Sequence, residues 1–125
     1  MGEMNGVVEA SKKAGDFCLE RTGDESRANK CALIVEETCK NIVQHGFQTI
    51  KKPRIPHIDL RVFWKEGKVH ICIRDNCKPF NIKKMTSERI DAGAYEHLGI
   101  PIITGFASNI DYHYILRMNN VRIKI

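Results

Sequence analysis

The sequence predicts an α+β fold, a two-layer sandwich of a mostly antiparallel sheet covered on one face by about three helices. Three observations predict it. The first part of the chain spaces its apolar residues as a helix does, residues 58–73 change to strict alternation, and residues 110–125 alternate again. The 125 residues fit a single domain, 1–125, that is long enough to bury a core.

Two helices are predicted ahead of the first strand. Residues 1–23 hold the first, which ends at Gly23. Asp24 is then an N-cap residue and Glu25 an acid in the first turn, where it suits the positive end of a helix. The second helix runs to about Gly46 and has an apolar stripe along one side. The stripe consists of Ala32, Val35, Cys39, Ile42 and Val43.

The first two strands form a predicted hairpin. Apolar and polar residues alternate over residues 57–64 and again over residues 69–74. The turn between them, residues 65–68, contains Gly67, which accepts a positive φ without steric cost. The two strands are therefore expected to pair antiparallel.

A second hairpin is predicted at the carboxyl end. Residues 110–116 and 121–125 alternate as strands, and Asn119-Asn120 is a pair typical of tight turns. Ahead of this hairpin, a short apolar helix is expected from Leu98 to about Ala107. The polar residues 76–98 lack clear periodicity, and a loop of that length inside a compact domain is usually functional or disordered.

Composition and charge narrow the classes of function. Lys and Arg number 20 against 15 Asp and Glu, a net charge of +5 that suits an anionic ligand. The basic residues are scattered along the sequence, and no helix-turn-helix or metal-finger spacing accompanies them, so we expect no nucleic-acid partner. No apolar run has the length of a membrane span. The five cysteines match no zinc spacing, and reduced thiols favour a cytoplasmic location.

The second helix carries the first candidate motif. Glu37, Asn41 and His45 recur every four residues and therefore lie along one edge of the helix. A carboxylate can accept a proton from water, and an amide oxygen is a hard ligand for Mg²⁺. The alternative is an ordinary solvated helix face, on which all three residue types are common.

The second candidate motif follows the second strand. Asp75 could accept a hydrogen bond from the exocyclic amine of adenine, where guanine offers a carbonyl oxygen instead. Cys77 and Phe80 follow it, and Phe80 could form a wall of a base pocket. A strand-ending aspartate before a proline turn is the structural alternative.

The third candidate motif is Leu98-Gly99-Ile100, which opens the short apolar helix. A glycine ahead of a helix lets a phosphate approach the unpaired amides of the first turn. A plain junction between a loop and a helix is the alternative, and Pro101 removes one of those amides.

The order of these motifs resembles the GHKL ATPase superfamily, whose histidine kinase-like ATPase domains have the Bergerat fold. An E-x-x-x-N-x-x-x-H helix comes first, then D-x-x-x-P-F, a lid and L-G-I. Within the superfamily the chain looks most like the anti-sigma factor serine/threonine kinase branch. The resemblance covers the chain from about Arg27 onward.

The resemblance implies roles at matching positions. Asn41 would ligate Mg²⁺ and Glu37 would be the general base, while Asp75 would bind the adenine of ATP or ADP. Gly99 and its neighbours would hold phosphates, and His45 would lie near the nucleotide. The implied partners are a small antagonist protein or a sigma factor, with a homodimer as the implied assembly.

Several residues depart from the family pattern and leave a second function open. The family has glycine two residues after the aspartate, where this chain has Cys77. Residues 76–98 contain Gly93 as their one glycine, and Pro101 is unusual at the phosphate helix. These departures favour a non-catalytic module that senses nucleotide or binds protein, as part of a larger regulatory or membrane protein.

Overall fold

The computed structural model describes residues 2–80 and 107–125 of the chain. These residues form two long helices and four strands. They are α1 (Gly2–Thr22), α2 (Glu25–Asn41), β1 (Ile58–Lys65), β2 (Lys68–Asp75), β3 (Asn109–Ile115) and β4 (Met118–Lys124). The strands form one antiparallel sheet, so the predicted α+β sandwich is confirmed.

Helix α2 begins as predicted and ends differently. Asp24 is its N-cap, with a carboxylate oxygen that accepts the amide hydrogen of Arg27 at 3.1 Å. Beyond Asn41 the helix widens into a π turn at Ile42–Gly46 and then tightens into a 3₁₀ turn at Phe47–Thr49. The predicted helix end at Gly46 is therefore the last residue of the π turn.

The sheet has the strand order β1-β2-β4-β3, which places β2 and β4 at its centre. The pairing of β2 with β4 sets Asp75 opposite Asn119, where β2 ends and β4 begins. This register brings together two polar residues that are far apart in the sequence.

The core lies between the two helices and one face of the sheet. Ile34 and Val35 of α2 are fully buried, as are Ile71 of β2 and Ile123 of β4. Since side chains alternate along a strand, the opposite face of the sheet carries the polar residues. None of the described helices packs on that opposite face.

The turn of the second hairpin was predicted in the wrong place. It lies at Leu116 and Arg117, which have positive φ angles of 54° and 61°. This register pairs Ile110 with Ile123 on the core face. A turn at Asn119-Asn120 would put Leu116 opposite Ile123 and take Ile110 out of the core, so packing overrides the local turn preference.

Some predictions fall on residues outside the described part of the chain. The predicted helix from Leu98 lies there except for Ala107, and so does most of the lid, from residue 81 onward. Within residues 2–80 and 107–125, no helix is long and apolar enough to cross a membrane.

Candidate functional site

A cavity of about 140 Å³ opens where β2 ends against the carboxyl end of α2. Its polar lining includes Thr38, Asn41 and His45 from the helix, together with Asp75 and Asn119 from the two central strands. Whole small-molecule pockets are usually larger, about 300–1,000 Å³. The cavity therefore suits one flat part of a ligand, with the rest lying outside it.

Asp75 is the buried charge of this cavity, with 4% of its surface exposed. Its Oδ1 accepts two hydrogen bonds, from the backbone N–H of Cys77 at 2.9 Å and from Nδ2 of Asn119 at 2.8 Å. Both hydrogen bonds from described residues go to that oxygen. Oδ2 is consequently the oxygen that can accept a hydrogen bond from a ligand.

Asn119 holds the aspartate and the segment after β2 together. Besides Asp75, its Nδ2 donates to the carbonyl oxygen of Lys78 at 3.0 Å. Its Oδ1 accepts the backbone N–H of Phe80 at 3.0 Å and the hydroxyl of Tyr112. Burial raises the pKa of Tyr112, which keeps its phenol protonated as a donor. Asn119 is 2% exposed, and its hydrogen bonds connect β2, β3 and the segment after β2 at the cavity.

Thr38 contributes a polar atom without a partner. The residue is 4% exposed and lines the cavity, and its Oγ1 makes no hydrogen bond within the described residues. A threonine inside a helix usually bonds back to the preceding turn. A buried hydroxyl left unpaired costs about 1–3 kcal/mol, which a ligand in the cavity could relieve.

The π turn shapes the helix side of the cavity. It follows Asn41 directly, and both His45 and Gly46 within it line the cavity. Turns of this kind are rare and occur frequently at functional sites.

Gly46 allows the loop after β2 to come close. A Cβ added to Gly46 would lie 3.0 Å from Sγ of Cys77 and 3.2 Å from its Cβ. The side chain of Cys77 is therefore accommodated against a glycine on the helix. Cys77 has no positive φ, so the turn is built without a left-handed residue at this position.

Two thiols beside Asp75 are strongly held in the protonated form. Burial, and then the carboxylate of Asp75, raise the pKa of Cys39 to about 12. The same causes raise the pKa of Cys77 to about 12, against a smaller lowering by Arg54. Since the thiolate is the reactive form, neither cysteine is a nucleophile near neutral pH.

Glu37 lies on the same helix outside the lining of this cavity. Its side chain is 16% exposed and faces the ammonium of Lys40 across 3.9 Å. Because Asn41 is one turn further along the helix, a ligand that extends from the cavity past Asn41 would pass near this carboxylate.

The structure brings five of the predicted site residues to one cavity. They are Asn41, His45, Asp75, Cys77 and Phe80. Leu98, Gly99 and Ile100 lie outside the described residues. The sequence interpretation missed Thr38 and Asn119, although a threonine three residues after Val35 falls within the apolar stripe and was a detectable signal.

The donor set suits a nucleotide and its magnesium ion. A carboxylate oxygen can accept a hydrogen bond from a base, and an unpaired hydroxyl can donate one to it. The two groups therefore suit a base edge that has a donor beside an acceptor. Within the described residues, no group of three or more His, Cys, Asp or Glu could hold a metal by itself. Mg²⁺ bound to a nucleotide takes few protein ligands and keeps phosphate and water oxygens, and the amide oxygen of Asn41 is a hard ligand of the kind it accepts.

Residues 3–125 match the histidine kinase-like ATPase domain family. The chain therefore belongs to this family. A solved structure with a similar fold is the histidine kinase domain of the blue-light activated histidine kinase from Erythrobacter litoralis, with a TM-score of 0.56. It is 17% identical over 79% of this chain, which spans 44% of that structure's chain. Among curated proteins, none matches this chain.

Proposed function

We propose that residues 1–125 are a single regulatory domain that binds ATP or ADP with Mg²⁺. The observation that carries this proposal is the Asp75 carboxylate, buried in a cavity with one oxygen left to a ligand. Burying a carboxylate is costly unless it is paired, and an exocyclic amine would provide the missing hydrogen bond.

With the adenine amine at Asp75, the other residues of the cavity would contact the remaining parts of the nucleotide. The amide of Asn41 would ligate the Mg²⁺, which neutralises phosphate charge when bound. His45 and Phe80 would line the sides of the nucleotide, next to Cys77. Leu98, Gly99 and Ile100 would supply backbone amides to the phosphates, as the resemblance implies.

We further propose that the domain is a serine/threonine protein kinase of the anti-sigma factor type. Its substrate would be the serine hydroxyl of a small antagonist protein, and a sigma factor-like protein would be a second partner. Glu37 would take the proton of the attacking hydroxyl as general base. Its position one helical turn before Asn41 supports this role, because phosphoryl transfer depends mainly on positioning and charge stabilisation.

A specific contact favours a second candidate function. The ammonium of Lys40 lies 3.9 Å from the carboxylate of Glu37 and would compete with a substrate hydroxyl for its oxygens. In that case the domain would sense nucleotide or bind a protein without turnover, as a module of a larger regulatory or membrane protein.

Calorimetric titration with ATP and ADP, with and without Mg²⁺, tests the first proposal. We expect saturable binding that Asp75→Asn weakens by about tenfold or more, since a charge-assisted hydrogen bond is worth about 1.5–3 kcal/mol. Asp59→Asn, on the opposite face of the sheet, is the matched control and should bind as the wild type does. Absence of binding at millimolar nucleotide would refute the assignment.

Phosphate release and transfer by Glu37→Gln separate the two candidate functions. A kinase or ATPase should lose about a hundredfold or more of its activity while its nucleotide affinity is retained. No turnover in the wild type, or equal turnover in the variant, would favour the non-catalytic module.

A further inference from the structure

The face of the sheet that points away from the helices is called here the outer face. It consists of the alternate residues of β1 from Asp59 to Lys65, of β2 from Lys68 to Arg74, of β3 from Asn109 to Ile115, and of β4 from Met118 to Lys124. A shallow groove of about 770 Å³ crosses it, lined by residues of all four strands. No described helix covers this groove.

The outer face concentrates the positive charge of the protein. Its acidic residues are Asp59 and Asp111 alone. Its basic residues are Arg61, Lys65, Lys68, Arg74, Arg122 and Lys124. This face therefore has a net charge of about +4, most of the +5 of the chain. Residues that are scattered in the sequence are thus gathered on one surface by strand alternation.

Little within the described chain neutralises this charge. Among residues 2–80 and 107–125, the one ion pair of the outer face joins Arg74 to Asp59 at 3.9 Å, and both side chains are more than half exposed. Exposed pairs of this kind contribute at most about 1 kcal/mol. Arg61 of the edge strand β1 and Arg122 of the central strand β4 flank Cys72 of β2, and Arg122 also lies opposite Asp111 of β3. Lys65 and Lys68 lie directly opposite each other, a like-charge pairing that costs stability and is expected where a surface serves binding.

The chemistry of the outer face selects among anionic partners. Single-stranded nucleic acid needs open aromatic rings, and Phe63 is covered by a stacked His70 at 4.8 Å and by the guanidinium of Arg122 at 5.8 Å. The two aspartates would also repel a continuous phosphate backbone. A second copy of this face would bring positive charge against positive charge.

Arginine matches carboxylates particularly well, because its planar fork donates two parallel hydrogen bonds. Four strands make a surface about 19 Å wide, and a helix with its side chains is about 10–12 Å across. We propose that the outer face is a docking surface for a carboxylate-rich helical segment of a protein partner. This docking is independent of nucleotide binding, which occurs on the helix side of the sheet.

Fluorescence anisotropy with a labelled Glu-rich helical peptide of about 20 residues tests the proposal. A Lys-rich peptide of the same length, a uridine oligonucleotide and phosphatidylserine vesicles serve as competing probes. The test variant is Arg61→Glu with Arg122→Glu. The matched control is Lys12→Glu with Arg21→Glu, which makes the same change in net charge on exposed positions of α1.

We expect the Glu-rich peptide to bind the wild type and to bind the test variant about tenfold or more weakly, with the control variant within about twofold of the wild type. Arg61→Gln with Arg122→Gln should give an intermediate loss, and circular dichroism verifies its fold. Equal losses in test and control variants would overturn the proposal. Preferential binding of the oligonucleotide or the vesicles to the outer face would overturn it in favour of those ligands.

A calorimetric titration with ADP on the same variants separates this proposal from the proposed function. ADP affinity unchanged in the test variant, with peptide binding lost, supports the docking surface. Peptide binding in a protein that binds no nucleotide would refute the nucleotide site and leave the docking surface standing.

Discussion

Thr38 has a hydroxyl that the fold itself does not use. It lies on the buried side of α2, one residue after Glu37, and its Oγ1 has no partner in the described chain. A valine has nearly the same shape and no polar atom. The threonine therefore reduces the stability of the unliganded protein, a cost that the proposed contact with a ligand would offset.

Thr38→Val should stabilise the unliganded protein by about 1–2 kcal/mol, since a buried unpaired hydroxyl is removed without a change of volume. The same substitution should weaken ADP binding about three- to tenfold, the value of one ordinary hydrogen bond. Thermal melting measures the first effect and calorimetry the second.

An ADP analogue without the ring nitrogen N1 provides the control for this prediction. It should bind the wild type and Thr38→Val equally, because it lacks N1, the acceptor beside the exocyclic amine of adenine to which the Thr38 hydroxyl would donate. Thr38→Ser should keep the preference for ADP. A lower melting temperature for Thr38→Val would contradict the unpaired state of the hydroxyl.

Sequence reasoning names residues that line the cavity where neighbouring residues in the chain indicate them. Asn41 and His45 are recognised from helical spacing, and Asp75 from its place after a strand. Asn119 could not be recognised, because its partner Asp75 is 44 residues away and Asn-Asn is a common turn pair. Its importance depends on strand register, which only the assembled sheet fixes.

At the scale of secondary structure, the second hairpin has an unusual turn. Leu116 and Arg117 both have positive φ, a conformation that costs an ordinary L-residue roughly 1–2 kcal/mol. The residues best suited to this turn are Asn and Gly. The chain instead has its asparagines three residues further on, where Asn119 serves the cavity.

Leu116→Asn with Arg117→Gly should therefore stabilise the protein by about 1–2 kcal/mol, because both positions gain residues that accept the left-handed conformation. Chemical denaturation measures the change. The control is Glu66→Asn in the first hairpin, where Gly67 already occupies the second turn position. This control substitution should raise the free energy of unfolding by about half as much, since it changes one turn position instead of two. No gain from the double substitution would show that the turn is not strained.

The elements themselves were predicted more accurately than the connections between them. Strict alternation located β1 and β2 to within about two residues, since a half-buried strand requires that pattern. The π turn at Ile42–Gly46 was not foreseen, because its sequence has no feature that distinguishes it from a continuing α-helix. Whether a helix forms such a wide turn depends on how the surrounding residues pack against it.

At the scale of the whole molecule, buried thiols link stability to alkaline pH. Burial is the largest cause that raises the pKa values of Cys31, Cys39 and Cys77 from 9.0 to about 12. In the unfolded chain these thiols ionise near pH 9, while in the folded protein they stay protonated. Their contribution to stability is complete below pH 9 and is lost as pH rises toward about 12.

We expect the free energy of unfolding to fall between pH 9 and 12, with each thiol adding up to about 1.4 kcal/mol per pH unit to the slope. Urea denaturation at a series of pH values measures this slope. Cys31→Val should make it shallower, since that position no longer titrates. A slope unchanged by the substitution would mean that other groups cause the alkaline loss.

The widened helical turn beside the cavity has a consequence for how this domain can change in evolution. A turn of this kind bonds residue i to residue i+5 and so holds one residue more than a turn of α-helix. A deletion of one residue between Asn41 and Phe47 would then restore regular helix and rotate His45 and Gly46 away from the cavity. A change in the length of this turn, unlike a substitution within it, would therefore alter the lining of the cavity.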